Sequence, residues 1–381
     1  MADGSGDVLR TEASVAAVGA AAWRGLGGEA NPFVSFDFLD ALERSGSVGG
    51  DSGWAPIHAV LERNGTVTAA APLYLKAHSY GEYVFDQGWA DALQRAGGRY
   101  YPKLLAAAPF TPANGPRLLA RQPADKNVLA AALVELARRL NVSSVHANFV
   151  EDADEPAFVA AGFLPRLGVQ YHWFNRDYAD FEAFLASLAS RKRKTIRRER
   201  REAADSGLRI ARLQGADIKE AHWDAFWTFY QDTGARKWGS PYLTRDFFSR
   251  VGATMAERIV LFLALDGERP IAGALNFLGA DTIYGRYWGC VEHRPFLHFE
   301  LCYHQAIEFA IEHKLQRVEA GAQGEHKLAR GYEPVTTRSM HWIAHPGFRQ
   351  AVADFLSRER AAALRETEEL QEFTPYKKES S

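Results

Sequence analysis

Two segments of the chain, Ala161–Trp173 and Arg330–Trp342, resemble each other at an offset of 169 residues. Each contains glycine, an aromatic residue and proline in the same order, and each ends in His-Trp. A short apolar run typical of a strand precedes each segment, at Val145–Val150 and at Arg317–Ala322. A match of this length at a fixed offset indicates that one folding unit is present twice.

A second pair of segments, His58–Leu75 and Val260–Phe277, supports this repeat. Each segment predicts a strand, a two-residue turn and a second strand, because Asn64-Gly65 and Asp266-Gly267 are typical of tight hairpin turns. Each half of the chain therefore contains an antiparallel hairpin upstream of its own copy of the repeated segment.

One amphipathic helix follows the hairpin in each half. Apolar residues recur at helical spacing at 129–140 in the first half and at 299–311 in the second. The order in each half is then hairpin, helix, strand, short helix and strand. Alternation of strands with helices predicts an α/β fold of layered, α+β type.

The domain boundary is predicted near Arg176. Asp180 is a suitable N-cap for the first helix of the second half. The predicted domains are residues 1–176 and 177–381, and the second contains a basic helix and a C-terminal amphipathic helix at about Gln350–Leu370.

Composition excludes several classes of protein. The length of 381 residues suggests two or three domains, and 47% apolar residues with 46 aromatic residues are enough for a buried core. A net charge of −2 argues against a nucleic-acid-coating polycation, and two cysteines cannot build a disulfide framework. No run of about 18 uncharged apolar residues is present, and the N-terminus does not resemble a signal peptide. The expected location is the cytoplasm.

Positive charge is concentrated in Arg191–Arg201, where eight of eleven residues are Lys or Arg, while the rest of the chain has a net charge of −9. On a helix, these like charges repel by roughly 1–3 kcal/mol in total, so a bound anion would stabilise the segment. The expected anion is a tRNA backbone, a nucleotide diphosphate, a CoA phosphate or an anionic lipid. The alternative is a solvated face that balances an acidic neighbour. Binding of the donor's phosphates is predicted for Arg191, Arg193, Lys194, Arg197, Arg198 and Lys327.

A glycine-containing loop, Ala320–Lys327, follows the predicted strand of the second half. His326 is suited to accept a proton near neutral pH, and Glu325 can orient or replace it. Lys327 can hold a phosphate or a developing oxyanion. The corresponding loop of the first half, Val150–Asp154, has neither histidine nor lysine, which favours a functional loop over an exposed turn.

The first turn of the central helix contributes a third predicted catalytic residue, Glu300. The other polar residues at four-residue spacing, His304, Glu308 and Glu312, are typical of a solvated helix face, and no metal is expected. The matched His172 and His341 predict a shared structural role.

A strand with an arginine at its centre, Tyr284–Gly289, is predicted beside this loop. Alternation predicts that Tyr284, Arg286 and Trp288 share one face. A mid-strand arginine requires a cleft ligand or a carboxylate partner such as Glu319. Substrate contacts are predicted for Arg286, Tyr287, Trp288, Glu319, Lys237 and Trp238, the last two in a loop.

These motifs together resemble a known family. The resemblance is carried by Arg191–Arg200, Lys237–Phe248, Ile271–Asn276, Tyr284–Gly289, Leu297–Glu308 and Glu319–Tyr332. They are similar to double-GNAT transferases of the FemABX type and, more closely, to the bacterial FemAB-like family of predicted N-acyltransferases, which is associated with peptidoglycan biosynthesis or recognition.

The resemblance implies two tandem GNAT-like domains and a defined class of reaction. An acyl or aminoacyl group would pass from acyl-CoA or aminoacyl-tRNA to an amine or hydroxyl of a small molecule or cell-wall precursor, with no tightly bound cofactor. Val291–His298, where GNAT enzymes that use acetyl-CoA have a glycine-rich loop, contains no glycine, which argues against acetyl-CoA. The alternative is a non-catalytic protein that recognises a peptidoglycan precursor or RNA.

Overall fold

The computed structural model describes residues 6–237, 241–322 and 324–377. The strands of this part, β1 to β15 in chain order, are Asp7–Glu12, Trp54–Pro56, His58–Arg63, Thr66–Ala71, Leu73–Lys76, Lys103–Ala106, Leu119–Ala120, Ser144–Ala147, Leu164–Phe174, Arg209–Gln214, Ile259–Asp266, Arg269–Leu278, Thr282–Cys290, Arg317–Glu319 and Glu333–Ile343. Its α-helices, α1 to α13, are Val15–Val18, Ala20–Arg24, Phe36–Arg44, Gln87–Arg95, Pro123–Arg139, Glu155–Ala160, Phe181–Ser187, Ser190–Ala204, Glu220–Lys237, Arg245–Thr254, Leu297–Phe299, Gln305–Glu312 and Pro346–Glu372. A π-helical turn, Glu300–His304, joins α11 to α12, and a 3₁₀ helix spans Glu325–Arg330.

The chain forms two compact units. Unit 1 consists of Met1–Gly168 and Thr336–Arg365, and unit 2 consists of Val169–Val335 and Glu366–Ser381. Both units combine β-sheets with helices, which confirms the predicted α/β class.

Unit 1 contains two sheets. Strands β1-β3-β4-β7 form one sheet, and β8, β6, β5 and β2 follow one another in the other. Hairpin β3–β4 turns at Asn64 and Gly65, whose φ angles of 52° and 74° are the left-handed values that this tight turn requires. The predicted helix of the first half is α5, whose Leu129 and Leu133 lie in one core with Leu61 of β3.

Unit 2 is built on the strand order β10-β11-β12-β13-β14-β9. Neighbouring strands are antiparallel except β13 and β14, which are parallel. Apolar residues of α7 and of the helix α11–α12 pack with Ile283 and Val318 on one face. Helix α9 packs closely on β13, where a Cβ at Gly289 would lie 2.1 Å from the carbonyl oxygen of Phe229, so only glycine fits.

The ends of the two repeated segments pair with equivalent positions of their neighbouring strands. In unit 1, His341 lies opposite His146 and Trp342 opposite Val145. In unit 2, the equivalent His172 lies opposite Glu319, and the following tryptophan lies opposite Val318. The predicted duplication is therefore also present in the structure, with His146 and Glu319 at equivalent positions.

The two units differ from the predicted domains 1–176 and 177–381. Residues 336–365 belong to unit 1, because β15 pairs with β8 over Met340–Ile343. Residues 169–176 belong to unit 2, because the end of β9 pairs with β14. The final strand of each repeat thus completes the sheet of the other unit. Apolar periodicity identifies a strand but does not determine which strand it pairs with.

The predicted helices of the second half are present. Asp180 caps α7 by accepting a hydrogen bond from the amide of Ala183, at 2.7 Å. The basic segment forms α8. The C-terminal helix, α13, begins four residues before the predicted start and ends two residues after the predicted end.

Candidate active site

The candidate site lies in unit 2, where β13 and β14 diverge. The two strands pair only from Thr282–Tyr284 to Arg317–Glu319. β13 continues to Cys290, and no described strand pairs with residues 285–290 on the β14 side. We call the region bordered by residues 285–290 and by residues 320–322 the cleft.

Glu319 is the last residue of β14 and lies where its pairing with β13 ends. Its side chain is 5% exposed, and Oε2 has no hydrogen-bond partner. Oε2 lies 3.9 Å from Nε2 of His172, and Oε1 lies 3.9 Å from Nε of Arg317. Burial raises the pKa of Glu319 to about 7, against the opposing charges of Arg317 and Arg286. A buried carboxyl in this state is a suitable general base near neutral pH.

Lys327 lies beside the segment that follows β14 and is also buried. Its Nζ donates a 2.9 Å hydrogen bond to the carbonyl oxygen of Gly321, just beyond β14. Burial and the charge of Arg286 lower the pKa of Lys327 to about 7. The ammonium has three donors, so two remain for a ligand oxygen.

Arg286 lies at a β-bulge of β13. Tyr287 pairs with Leu275 and Gly285 with Asn276, which leaves Arg286 as the additional residue. The bulge changes the alternation, so the prediction that Tyr284 and Trp288 share a face is wrong: Trp288 packs with the core that contains Ile283, the neighbour of Tyr284. Trp288 lies 5.2 Å from the ring of His298, and Tyr287 packs on Tyr230 at 5.5 Å.

His326 is exposed and lies on the 3₁₀ helix Glu325–Arg330, which follows residues 320–322 in the chain. Its Nε2 is 2.8 Å from Oη of Tyr303, and its ring lies 5.7 Å from that of Phe299. Partial desolvation of the ring and the charges of Arg330 and Lys327 lower the pKa of His326 below its usual 6.5. Its neighbour Glu325 is also exposed.

A buried ion pair connects this 3₁₀ helix to the basic helix α8. Arg330 donates two hydrogen bonds to Glu199, at 2.7 and 3.2 Å, and a third to the carbonyl oxygen of His326. Its guanidinium carbon lies 3.4 Å from the ring centre of Phe299. Glu199, the single acidic residue of the basic run, therefore positions the segment that contains His326 and Lys327.

The predicted phosphate-binding residues of α8 fall into two groups. Arg191, Arg193 and Lys194 have no partner among the described residues. Arg197 pairs with Glu182, and Arg198 with Glu202 at 3.6 Å. Arg191, Arg193 and Lys194 thus remain available to an anion. Lys327, the sixth predicted phosphate-binding residue, lies at the cleft and not on α8.

Glu300, the third residue predicted to be catalytic, is engaged in ion pairs. It is buried and accepts hydrogen bonds from Arg200, Gln305 and His304. Burial opposes ionisation, but the hydrogen bond and charge of His304 and the charge of Arg200 lower the pKa of Glu300 to about 2. A carboxylate held in this way is a weak proton acceptor, so its geometry favours anchoring of α8 over the predicted catalytic role.

Acidification is expected to remove the contribution of Glu300 to stability. Because its pKa is lowered from 4.5 to about 2, this contribution is complete above about pH 4.5 and is lost as the pH falls towards 2. The depression corresponds to about 3 kcal/mol. Urea unfolding between pH 7 and pH 2.5 should show a shallower decline for Glu300→Gln than for the wild type. Parallel declines would contradict this assignment.

Lys237 and Trp238 cannot be placed in the site. Lys237 ends α9, and its side chain lies outside the described part of the chain, as does the whole of Trp238.

In unit 1, the position equivalent to Glu319 is occupied by His146, whose ring nitrogens both have partners. Nδ1 of His146 lies 2.7 Å from Nδ1 of His341, and their Nε2 atoms each lie 2.8 Å from a serine hydroxyl, Ser144 and Ser339 respectively. Burial lowers the pKa of both histidines, so both are neutral at pH 7. At the equivalent position of unit 2, Oε2 of Glu319 is buried without a hydrogen-bond partner, which favours unit 2 for the candidate site.

Sequence reasoning missed three residues that complete this site. His172 lies beside Glu319, Tyr303 holds His326, and Arg330 connects the 3₁₀ helix to α8. The matched His-Trp pairs indicated a position for His172 but not its neighbour. The single acidic residue in the basic run is the one sequence signal for the contact with Arg330.

Comparison with protein families gives one match. A sequence model of the FemAB-like family, described as peptidoglycan biosynthesis/recognition, matches residues 14–378. No protein of curated function matches the chain.

Several solved structures share the fold. The crystal structure of FemX is 13% identical and covers 84% of this chain and 94% of its own, with a TM-score of 0.51. L-PGS from Bacillus licheniformis is 10% identical and covers 87% and 98%, with a TM-score of 0.52. The C-terminal domain of a putative lysylphosphatidylglycerol synthetase from Agrobacterium fabrum is 10% identical and covers 88% and 94%, also with a TM-score of 0.52. With the repeated element order, these similarities confirm the predicted tandem GNAT-like architecture.

None of the described helices is long and apolar enough to span a membrane.

Proposed function

Because the chain belongs to the FemAB-like family, we propose that it is an acyltransferase that acts in peptidoglycan-related chemistry. It moves an acyl or aminoacyl group from a phosphate-bearing carrier to an amine or hydroxyl of a small molecule or cell-wall precursor. The observation that supports this most directly is Glu319, a buried carboxyl with an unpartnered oxygen at the point where β13 and β14 diverge.

The mechanism follows from the groups around the cleft. The acceptor's nitrogen or oxygen attacks the acyl carbonyl carbon, and the proton it loses passes to Glu319. The carbonyl oxygen becomes an oxyanion that is stabilised by Nζ of Lys327. The tetrahedral intermediate then breaks its bond to the carrier, and the carrier's sulfur or oxygen takes up the proton. His326, held by Tyr303, is the second candidate base.

The donor site is the exposed face of α8. Arg191, Arg193 and Lys194 supply uncompensated charge, and Glu199 with Arg330 connects this helix to the segment that contains Lys327. The segment before α11 contains no glycine, and Phe296 has a φ of 58° where glycine is usual. These features favour a polyanionic carrier such as tRNA over a single CoA pyrophosphate.

Native mass spectrometry of the purified full chain tests the proposed function. Co-purified tRNA or an acyl-CoA thioester would identify the carrier, and a modified cell-wall precursor would identify the acceptor. Bound precursor or RNA without turnover of any thioester or aminoacyl-tRNA would support the alternative, a non-catalytic binding protein.

Charge reversal on α8 is expected to weaken binding of total tRNA. Arg191→Glu with Lys194→Glu should lower the slope of log affinity against log salt by about 2, because roughly one counterion is lost for each phosphate contact. Fluorescence titration from 50 to 300 mM KCl measures this slope. The matched control is Arg95→Glu with Arg99→Glu, two exposed arginines of unit 1 that have no described partner. Equal slopes for the two double variants would contradict a donor site on α8.

A further inference from the structure

A groove of about 490 Å³ opens in unit 2 between α7, α8 and β10, and the proposed transfer reaction does not use it. Phe181, Leu185 and Ile210 form the apolar part of its floor, and the buried side chains of Glu300 and Gln305 also line it. Its rim is formed by Arg197 and Arg201 of α8 and by Glu182 of α7. Pockets of roughly 300–1,000 Å³ with apolar walls and a few polar groups are typical small-molecule sites.

The arginines of this groove differ in how much of their charge is compensated. Arg200, which also lines the groove, is held by Glu300 and Glu308 and packs over Phe181, with its guanidinium carbon 4.4 Å from the ring centre. Arg201 is exposed and has no partner among the described residues. Arg197 pairs with Glu182, whose side chain is 64% exposed. The rim therefore offers one uncompensated guanidinium and a second that is held by a weak surface ion pair.

We propose that this groove binds a single-chain amphiphilic phosphate. The apolar floor takes a chain or ring that gains free energy from burial, while Arg201 binds the phosphate through paired N–H donors. Arg197 adds a second contact when it releases Glu182. A fully polar anion would leave the floor exposed, and an uncharged apolar molecule would leave the rim without a partner. Binding at this groove does not depend on the transfer reaction.

Octyl phosphate below its critical micelle concentration is the probe, titrated into the full chain by isothermal calorimetry. We expect it to bind at least about tenfold tighter than inorganic phosphate or octyl glucoside, because each of these retains only one part of the interaction. Arg201→Gln should weaken octyl phosphate about tenfold. Arg198→Gln is the matched control, since Arg198 lies on the same helix, pairs with Glu202 and does not line the groove.

Two further variants test the two halves of the proposal. Glu182→Gln should tighten octyl phosphate several-fold, because it releases Arg197 from its ion pair. Ala204→Trp should block binding, because Ala204 lines the groove and is exposed, so the larger ring enters the groove without disturbing the core. Thermal unfolding of each variant verifies that the fold is retained.

Several outcomes would overturn the proposal. Equal affinity for octyl phosphate and inorganic phosphate would show that the floor contributes nothing. Equal losses for Arg201→Gln and Arg198→Gln would show a general attraction to the basic helix. Sedimentation with vesicles of phosphatidylcholine and phosphatidic acid, without binding of octyl phosphate, would assign the arginines to a membrane surface instead.

Discussion

Glu319→Gln is expected to slow transfer by roughly 10²–10⁴-fold, the usual contribution of a positioned general base. The amide preserves the size of the buried side chain but cannot accept the acceptor's proton. The measurement is the single-turnover rate with the carrier that native mass spectrometry identifies. Glu268→Gln, in the exposed turn between β11 and β12, is the matched control and should retain the wild-type rate.

The pH profile distinguishes Glu319 from His326 as the base. The rate should rise as the pH approaches about 7, because burial raises the pKa of Glu319 to that value and only the ionised carboxyl accepts a proton, and it should fall at higher pH as Lys327, whose pKa is lowered to about 7, loses its charge. The rise should disappear in Glu319→Gln. A midpoint below 6.5 that is lost in His326→Ala and retained in Glu319→Gln would identify His326 instead.

Infrared difference spectroscopy gives a readout of Glu319 that needs no substrate. Burial raises the pKa of both Glu319 and Glu82 to about 7, so the band of protonated carboxyls that titrates near pH 7 should lose part of its amplitude in Glu319→Gln and the rest when Glu82→Gln is added. An unchanged amplitude in Glu319→Gln would show that Glu319 does not titrate there.

Glu199→Ala is expected to lower the free energy of unfolding by about 3–5 kcal/mol, the usual cost of leaving one member of a buried ion pair without its partner. Arg330 is 7% exposed and Glu199 is 6% exposed, so water cannot replace the lost carboxylate. Urea unfolding at pH 7 measures the change. The matched control is Glu182→Ala, which breaks the exposed pair with Arg197 and should cost about 1 kcal/mol or less.

A double variant separates charge burial from packing at this contact. Glu199→Met with Arg330→Met removes both charges and should recover most of the stability lost in Glu199→Ala. If Glu199→Ala costs no more than Glu182→Ala, the ion pair does not hold the 3₁₀ helix in place.

Local signals predicted the helices, hairpins and turns, because each of these elements depends on residues that are close in sequence. The Asn64-Gly65 dipeptide predicts a hairpin since both residues tolerate the left-handed φ that the turn requires. Asp180 predicts a helix start since its side chain reaches an amide three residues ahead. The repeat predicts two copies of one unit, and the equivalent positions of His146 and Glu319 agree with it.

The site was predicted less completely, because its chemistry depends on burial and on contacts between distant residues. The sequence singled out Glu319, Lys327 and His326, but it assigned the role of base to His326 or a nearby carboxylate and gave Glu319 a role in substrate binding. The 5% exposure of Glu319 and the absence of a partner for Oε2 make this carboxyl the stronger candidate. Glu300, predicted as catalytic from its place in a helix turn, is held instead by Arg200 and His304.

By itself, the sequence determined the class of fold, the duplication and the concentration of charge on one helix, since these follow from residue type and spacing. Only the tertiary structure decided which strand closes each sheet, where the bulge at Arg286 changes the alternation and that Oε2 of Glu319 is buried without a hydrogen-bond partner. The physical reason is that strand pairing and desolvation depend on segments more than a hundred residues apart, such as β14 and β9. No local pattern contains that information.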